Sequence, residues 1–454
     1  MKGKIMKVRF FTLGCKVNQY ETQRIREDFL SAGFEEAAPG ISAAVCVINT
    51  CTVTAKADSE SLRIIRKAAA ENLGALILVT GCLTQNDSDK ERIRMIKGVS
   101  AVLENSCKER MPDLIPDLAG AGPAVGTPGG TRNIRRGISF FQGRSRAFLK
   151  IQDGCDNRCS YCKVALVRGR SRSRREEDIL EEAGLLAENG YKEIVLTGIC
   201  LGAYGRDKEA AVSLAGLIRK ISRIERVGRI RLSSIEMTDV SAELLALFSE
   251  GNKLCPHFHV PLQSGDDRVL SMMRRRYNRK TFLEGIGRIK KNVPDVSITT
   301  DVIVGFPGED DASFADTLKA VREIKPLKTH IFPYSSRQGT AAAEMPGQLN
   351  REIIKERCAL LSSLADGCSR EYMQGFIGRE TEIMAEDAAL NSCRRILKSG
   401  YSFSCADKKP LIEGYSANYI RVLIPSAIPS AGKEGFFRVR LVKVVKDCML
   451  GDLF

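Results

Sequence analysis

The first part of the chain alternates short apolar runs with longer amphipathic stretches. Apolar runs at Val8–Leu13, Ala43–Ile48 and Ala75–Val79 each lead into a loop and then into a segment with helical periodicity. Short apolar runs of this kind predict buried strands, and their alternation with helices predicts a parallel sheet. We therefore expect an N-terminal open parallel α/β sheet.

The middle of the chain repeats the same alternation about six times. Six β/α units are too few for a closed eight-stranded ring, so the pattern predicts a central incomplete (β/α)6 barrel. A long helix, Arg351–Met373, is expected to close this segment. The predicted strands are Phe148–Gln152, Glu193–Thr197, Ile230–Ile235, Phe258–Leu262, Ile298–Val304 and Thr329–Pro333.

The pattern changes after Gly378, where β-prone segments are separated by Gly, Pro, Asn and Ser. A C-terminal small all-β barrel of about five strands is the simplest prediction for such a tail. A Pro- and Gly-rich stretch, residues 112–135, predicts a linker after the first part. The predicted tail strands are Glu380–Met384, Ser392–Leu397, Ile420–Ile424 and Phe436–Val445.

Positive charge is concentrated in one stretch. The chain has a net charge of +15, and residues 132–175 alone hold 13 basic and 2 acidic side chains. Such a concentration predicts a polyanionic partner. No apolar run is long enough to span a membrane and the start does not suit a signal peptide, so we expect a cytoplasmic protein without a membrane partner. The arginines nearest the cysteines described next are Arg168, Arg170, Arg172, Arg174 and Arg175.

Three cysteines follow the first strand of the middle segment. Cys155, Cys159 and Cys162 have the spacing C-x3-C-x2-C, with no fourth Cys or His close behind. A structural zinc site requires four such ligands, whereas iron–sulfur clusters are held by cysteine thiolates. Three thiolates on a four-iron cluster leave one iron open to a substrate. We therefore predict a cluster site with an open iron.

A second set of cysteines follows the three N-terminal strands. Cys15, Cys51 and Cys82 each lie a few residues past the carboxyl end of a strand. In open parallel sheets these ends meet at one edge, where ligands bind. The topology therefore predicts a second three-thiolate cluster, the alternative being three unrelated loop residues.

The three histidines carry a weaker signal. His257 and His259 lie two apart on a predicted strand and share a face. A role in the core or in a pocket wall is the interpretation favoured for both and for His330, rather than metal ligation. Cys200, which follows another strand, is most simply a buried small residue.

These motifs resemble those of the radical S-adenosylmethionine methylthiotransferase family, over nearly the whole chain and in family order. The resemblance is closest to the branch that acts on N6-threonylcarbamoyladenosine in tRNA, in the opening around Cys15 and around Cys155. The matching segments are Phe11–Thr22, Asn49–Thr54, Thr80–Cys82, Gln152–Cys155, Arg168–Arg174, Leu196–Gly198, Leu232–Glu236, Pro261–Gly265, Asp301–Glu309 and Gly414–Val422.

The resemblance implies three domains. Residues 1–125 would form the methylthiotransferase N-terminal domain with an auxiliary cluster, residues 140–372 the radical S-adenosylmethionine core, and residues 376–446 a TRAM-like RNA-binding β-barrel. Two [4Fe-4S] clusters are implied, on the six cysteines. Two equivalents of S-adenosylmethionine would be used per turnover, one as methyl donor and one as radical source, and no side-chain acid or base is required.

The implied reaction is methylthiolation at C2 of N6-threonylcarbamoyladenosine next to the anticodon. The partners would be the tRNA anticodon stem-loop and an electron donor protein. Alternative substrates are isopentenyladenosine in tRNA and a ribosomal-protein aspartate, and a different class is a non-catalytic iron–sulfur RNA-binding protein. Three residues depart from the family pattern: Lys163, Cys200 and Met237.

Overall fold

A computed structural model of the chain describes residues 5–118, 137–208, 212–386, 411–425 and 435–453. These form two compact units, each treated separately below. The first unit comprises Met1–Phe140, Asp153–Arg172 and Ser335–Thr340, and the second comprises the remaining residues. The loop that carries Cys155, Cys159 and Cys162 therefore groups with the N-terminal segment rather than with the strand that precedes it.

The first unit is built on a five-stranded parallel sheet with the strand order β2-β1-β3-β4-β5. Residues 112–118 of the predicted linker are helical, and the rest of that stretch lies outside the described residues. The elements are β1 Lys7–Thr12, α1 Lys16–Ser31, β2 Glu35–Glu36, β3 Val45–Thr50, α2 Ala55–Glu71, β4 Leu76–Gly81, α3 Asp87–Arg94, β5 Val99–Val102 and α4 Ile115–Leu118, with 3-10 turns at Leu83–Gln85 and Asn105–Leu114.

Both faces of the central strands β3 and β4 are buried, which explains the continuous apolar runs in these two strands. On β3, Val45 and Val47 pack on one side with Phe29 of α1. Cys46 and Ile48 pack on the other side. Successive side chains of a strand point to opposite faces, so a continuous apolar run supplies two cores.

The second unit contains six parallel strands in sequence order. Two three-stranded sheets, β6-β9-β10 and β11-β12-β13, are joined by a parallel bridge between Ser234 and His259. The predicted incomplete barrel is confirmed. Its elements are β6 Arg146–Lys150, β7 Gln152–Asp153, α5 Val164–Arg168 (in the first unit), β8 Arg172–Ser173, α6 Glu176–Glu188, β9 Glu193–Thr197, α7 Leu214–Ser222, β10 Arg229–Leu232, α8 Ala242–Ala246, β11 His257–His259, α9 Asp267–Met272, α10 Arg279–Asn292, β12 Ser297–Val304, α11 Asp311–Ile324, β13 Lys328–Pro333 and α12 Arg351–Gln374.

A closed five-stranded barrel completes the second unit, in the order β14-β15-β16-β18-β17. The predicted all-β tail is confirmed, although its last strand extends beyond residue 446. The predicted strand Ser392–Leu397 lies outside the described residues. The barrel strands are β14 Glu380–Ala385, β15 Leu411–Ser416, β16 Arg421–Pro425, β17 Phe436–Val445 and β18 Cys448–Leu453.

The barrel packs on the core strands through buried arginines. Arg231 of β10 donates hydrogen bonds to the backbone oxygens of Ser416 and Ala417, at 3.2 and 2.9 Å. Its guanidinium also pairs with the buried carboxylate of Glu193 on β9, at 2.6 Å. The barrel is thus anchored to the interior of the second unit. Among the described residues, no helix combines the length and apolarity needed to cross a bilayer.

Candidate iron–sulfur sites

The structure places Cys15, Cys51 and Cys82 at one edge of the N-terminal sheet. They follow β1, β3 and β4, and the backbone N–H of Cys82 donates to the carbonyl of Thr50 at 3.0 Å. A Cβ added at Gly14 would lie 2.7 Å from Cys51 Sγ, so the turn before Cys15 closely approaches that thiol. Gly14 has a φ of +96°, a conformation that glycine adopts without strain.

A buried asparagine ties two of these loops together. The Asn18 amide donates to the carbonyls of Leu13 and Thr50, at 2.8 Å in each case. Ser61 of α2 donates to the carbonyl of Cys51 at 3.0 Å. Because these side chains satisfy the loop carbonyls, the loop ends are held in place inside the protein.

Burial controls the protonation of the inner thiols. It raises the pKa of Cys51 to about 11, and the neighbouring Cys82 and Cys15 add to the effect. Burial also raises the pKa of Cys82, while Arg168 and Lys108 oppose the shift. Without a metal these thiols are protonated at neutral pH, so binding of iron must displace their protons.

The loop of Cys155, Cys159 and Cys162 is held by its own backbone. The N–H of Cys155 donates to the carbonyl of Gly169, and that of Cys162 donates to the carbonyl of Cys159, at 3.0 and 3.1 Å. Gly154 has a φ of +73°, and a Cβ there would lie 2.0 Å from the carbonyl oxygen of Arg170. The glycine before Cys155 is therefore required by the close approach of two backbone segments.

Arg168 connects this loop to the N-terminal cysteine set. It ends α5, directly after the loop, and its Nε donates to Cys82 Sγ at 3.3 Å. Its Nη1 pairs with Glu21 Oε1 at 2.5 Å, and its Nη2 donates to Asn18 Oδ1. Lys108 also pairs with Glu21, at 2.5 Å, although burial lowers the pKa of that lysine.

The position of Arg168 corrects one expectation from the sequence. Its side chain is 1% exposed, so it does not face a polyanion as the charge count suggested. Arg174 is also engaged, with Glu182 at 2.7 Å. Arg170, Arg172 and Arg175 are exposed and remain candidates for contact with a polyanion.

Sequence reasoning did not assign the residues that connect the cysteine loops. Asn18 and Glu21 lie within a family motif and Arg168 within a charged stretch, but neither pattern predicts their contacts. Arg337 belongs to no motif of the sequence, and it donates to the carbonyl of Thr52 at 3.1 Å and pairs with Asp58 at 2.6 Å. Only buried pairing across long sequence separations identifies them, and composition carries no signal for it.

The three departures from the family pattern occupy defined environments. Lys163 is buried and its Nζ lies 3.2 Å from Asp89 Oδ2 in α3. The backbone N–H of Cys200 donates to Gln152 Oε1 at 2.8 Å. Met237 is buried and fills the space beside Gly285, where an added Cβ would lie 2.2 Å from its sulfur. None of the three displaces a candidate cluster cysteine.

Comparison with known proteins agrees with this architecture. The radical SAM superfamily matches residues 149–321, and the uncharacterized protein family UPF0004 matches residues 7–103. Among solved structures, the radical S-adenosylmethionine methyltransferase TsrM from Kitasatospora setae has a TM-score of 0.54 at 15% identity, over 75% of this chain and 77% of that one. The central fold is therefore that of a radical SAM protein.

Curated relatives match over most of the chain. The threonylcarbamoyladenosine tRNA methylthiotransferase MtaB of Bacillus subtilis (strain 168) is 36% identical over 96% of this chain and 94% of its own length. MtaB of Thermotoga maritima is 38% identical over 84% of this chain and 86% of its own length. The tRNA-2-methylthio-N(6)-dimethylallyladenosine synthase of Moorella thermoacetica is 35% identical over 83% of this chain and 86% of its own length. The chain belongs to the methylthiotransferase family of radical SAM proteins, and the family resemblance found in the sequence is confirmed.

Proposed function

We propose that this protein transfers a methylthio group to C2 of N6-threonylcarbamoyladenosine next to the anticodon of tRNA. The observation that carries the proposal is that all six candidate cluster cysteines belong to the first unit, where Arg168 links their two loops. The relatives named for this reaction, from Bacillus subtilis and Thermotoga maritima, support the choice of substrate.

The donor sets suit two iron–sulfur clusters. Each set supplies three thiols, and cysteine thiolates are the ligands that hold iron–sulfur clusters. A structural zinc ion would require four Cys or His ligands. Cys155, Cys159 and Cys162 would hold one [4Fe-4S] cluster, and Cys15, Cys51 and Cys82 the other.

When bound, the clusters would supply the radical chemistry and the sulfur that an adenine C–H bond without an acidic proton requires. Each turnover would use two equivalents of S-adenosylmethionine, and an electron donor protein would supply the electrons. The chain's own residues hold and shield this chemistry. Asn18 and Ser61 fix the N-terminal loops. Arg168 places a positive charge beside Cys82, which would bind the cluster as a thiolate, and it pairs with buried Glu21.

RNA binding is assigned to the exposed basic side chains and to the barrel. Arg170 and Arg172 are exposed beside the cysteine loop, and cations there can hold phosphates. Other five-stranded barrels, those of the OB-fold, bind oligonucleotides, and an anticodon loop offers unstacked bases. The proposed tRNA substrate supports a cytoplasmic location for the enzyme.

Nucleoside mass spectrometry of tRNA from a deletion strain tests the substrate. We expect 2-methylthio-N6-threonylcarbamoyladenosine to disappear while the isopentenyl-derived product persists. Loss of the isopentenyl-derived product alone would instead support isopentenyladenosine as the substrate, the class for which the Moorella relative is named. Retention of both products, with loss of methylthiolation of a ribosomal-protein aspartate, would support the third substrate.

Two cysteine variants separate an enzyme from a non-catalytic iron–sulfur RNA-binding protein. Under anaerobic reduction, Cys155→Ala is expected to lose cleavage of S-adenosylmethionine. Cys51→Ala is expected to retain cleavage and to form no methylthiolated product. Absence of 5′-deoxyadenosine from the wild-type protein would support the non-catalytic alternative, and full product from Cys51→Ala would contradict a role for the N-terminal cysteine set.

A further inference from the structure

A cluster of two histidines and one aspartate lies in the six-stranded core, outside both cysteine sets. His259 Nε2 lies 3.1 Å from Asp301 Oδ2. The rings of His259 and His330 have their centroids 5.5 Å apart. One ligand atom from each of the three residues lies within 4.8 Å of the other two, and in the described part of the chain no other such group of His, Cys, Asp or Glu occurs.

The side chains of His259, Asp301 and His330 lie on three adjacent strands. His259 ends β11, Asp301 lies in β12 and His330 in β13. Asp301 and His330 are direct register partners, and His259 is the register partner of Thr299, two residues before Asp301 on the same face of β12. Residues on paired strands are held more precisely than residues on loops, which favours a geometry suited to a metal ion.

A hydrogen-bonded chain orients the first histidine. Thr299 Oγ1 lies 2.9 Å from His259 Nδ1 and 3.0 Å from His257 Nε2. If His259 carries its proton on Nδ1 and donates it to Thr299, the threonine hydroxyl donates in turn to His257. Nε2 of His259 then presents a lone pair toward Asp301 and His330. Metal-binding histidines are oriented in this manner by contacts at their other ring nitrogen.

We propose that His259, Asp301 and His330 bind one divalent transition-metal ion, with zinc as the expected occupant. Two imidazole nitrogens and one carboxylate oxygen form a donor set that zinc accepts, and a fourth position stays open to water or to an oxygen ligand. An ion pair with Asp301 would require only the imidazole of His259. The imidazole of His330 also lies close to both residues, on a different strand, which favours one metal ion bound by all three. This site goes beyond the proposed methylthiolation and does not depend on it.

The test uses the full-length protein with both clusters assembled anaerobically, so that the six cysteines are occupied. After removal of loosely bound metal, Zn²⁺ alone is added and bound zinc is measured by mass spectrometry at increasing free Zn²⁺. We expect about one zinc per chain. His330→Ala and Asp301→Asn should weaken its binding by at least about a hundredfold, while cluster absorbance and circular dichroism remain unchanged.

Asp447→Asn is the control, because it alters a carboxylate that is 63% exposed, pairs with Arg421 and lies outside both the trio and its hydrogen-bonded chain. It should retain the ion with less than about a tenfold change in affinity. Electron paramagnetic resonance of bound Co²⁺ gives a second readout, since nitrogen ligation by His259 and His330 should be lost together with binding in the His330→Ala protein.

Two results would overturn the proposal. The first is zinc binding that is unchanged in His330→Ala and Asp301→Asn, which would place the ion elsewhere. The second is no retained zinc in the wild-type protein, which would leave the trio as a hydrogen-bonded cluster. Neither measurement uses methyl transfer, so an error in the proposed reaction would not affect the outcome.

Discussion

The Nε of Arg168 donates a hydrogen bond to the Sγ of Cys82 at 3.3 Å. Arg168 follows one cysteine set directly in sequence, and Cys82 belongs to the other. The guanidinium is almost fully buried and also pairs with Glu21, from which it is separated by 147 residues. One buried side chain thus joins the two cysteine loops and places a positive charge beside a thiol that would lose its proton on binding iron.

Removal of this guanidinium should weaken the N-terminal cluster. In Arg168→Ala, Cys82 loses the charge that opposes the burial-induced rise of its pKa, and Glu21 loses a buried partner. We expect iron to fall from about eight toward about four per chain, with retained cleavage of S-adenosylmethionine and little methylthiolated product. Arg170→Ala, at a side chain that is 93% exposed, is the control and should keep full iron. Normal iron in Arg168→Ala would contradict this role.

The stability of the cluster-free protein should depend on the ionisation of Cys51. Burial raises the pKa of this thiol from 9.0 to about 11, so the folded state holds the proton more tightly than the unfolded state. The resulting stability is present below about pH 9 and is lost as the pH rises toward about 11. The expected loss in the free energy of unfolding is about 2–3 kcal/mol. Urea unfolding of the wild-type and Cys51→Ala proteins across this range measures the difference. Parallel pH profiles would show that the thiol does not contribute.

The buried pair that anchors the barrel should be important for stability. Burial alone would raise the pKa of Glu193, but Arg231 and Arg146 hold it below its ordinary value. Arg231→Met leaves this carboxylate with weaker partners, so we expect a loss of about 3 kcal/mol in the free energy of unfolding. Arg438→Met, at a side chain that is 75% exposed, should cost less than about 1 kcal/mol. Similar losses in the two variants would argue against the anchoring role.

Binding of tRNA should depend on salt through the exposed arginines. The double variant Arg170→Ala/Arg172→Ala should bind every tRNA more weakly and reduce the slope of log affinity against log salt by about two. Filter binding or fluorescence anisotropy over a range of salt concentrations measures the slope. Arg226→Ala, at an exposed arginine elsewhere on the chain, should leave it unchanged. An unaltered slope in the double variant would place the phosphate contacts elsewhere.

Much of the architecture could be predicted because it depends on local pattern. Apolar runs in β/α alternation were sufficient for the parallel N-terminal sheet, and β9 and β17 have the predicted bounds. Two barrel strands, β15 and β18, were not predicted, because each is a short segment that is stabilised mainly by pairing with neighbouring strands. Arg168 was expected at the surface, because a charge count does not show which arginine meets a buried carboxylate.

The sequence by itself determined the spacing of the cysteines, the order of strands and helices, and the glycines that let Cys15 and Cys155 follow tight turns. These features are encoded within a few residues of one another, where backbone sterics and hydrophobic periodicity act. Only the tertiary structure decided that Arg168 reaches Cys82 and that His259, Asp301 and His330 converge. Such contacts depend on strand register and on the packing of distant segments. A buried charge without a partner is strongly destabilising, and the fold, not the local sequence, decides which residue lies beside it.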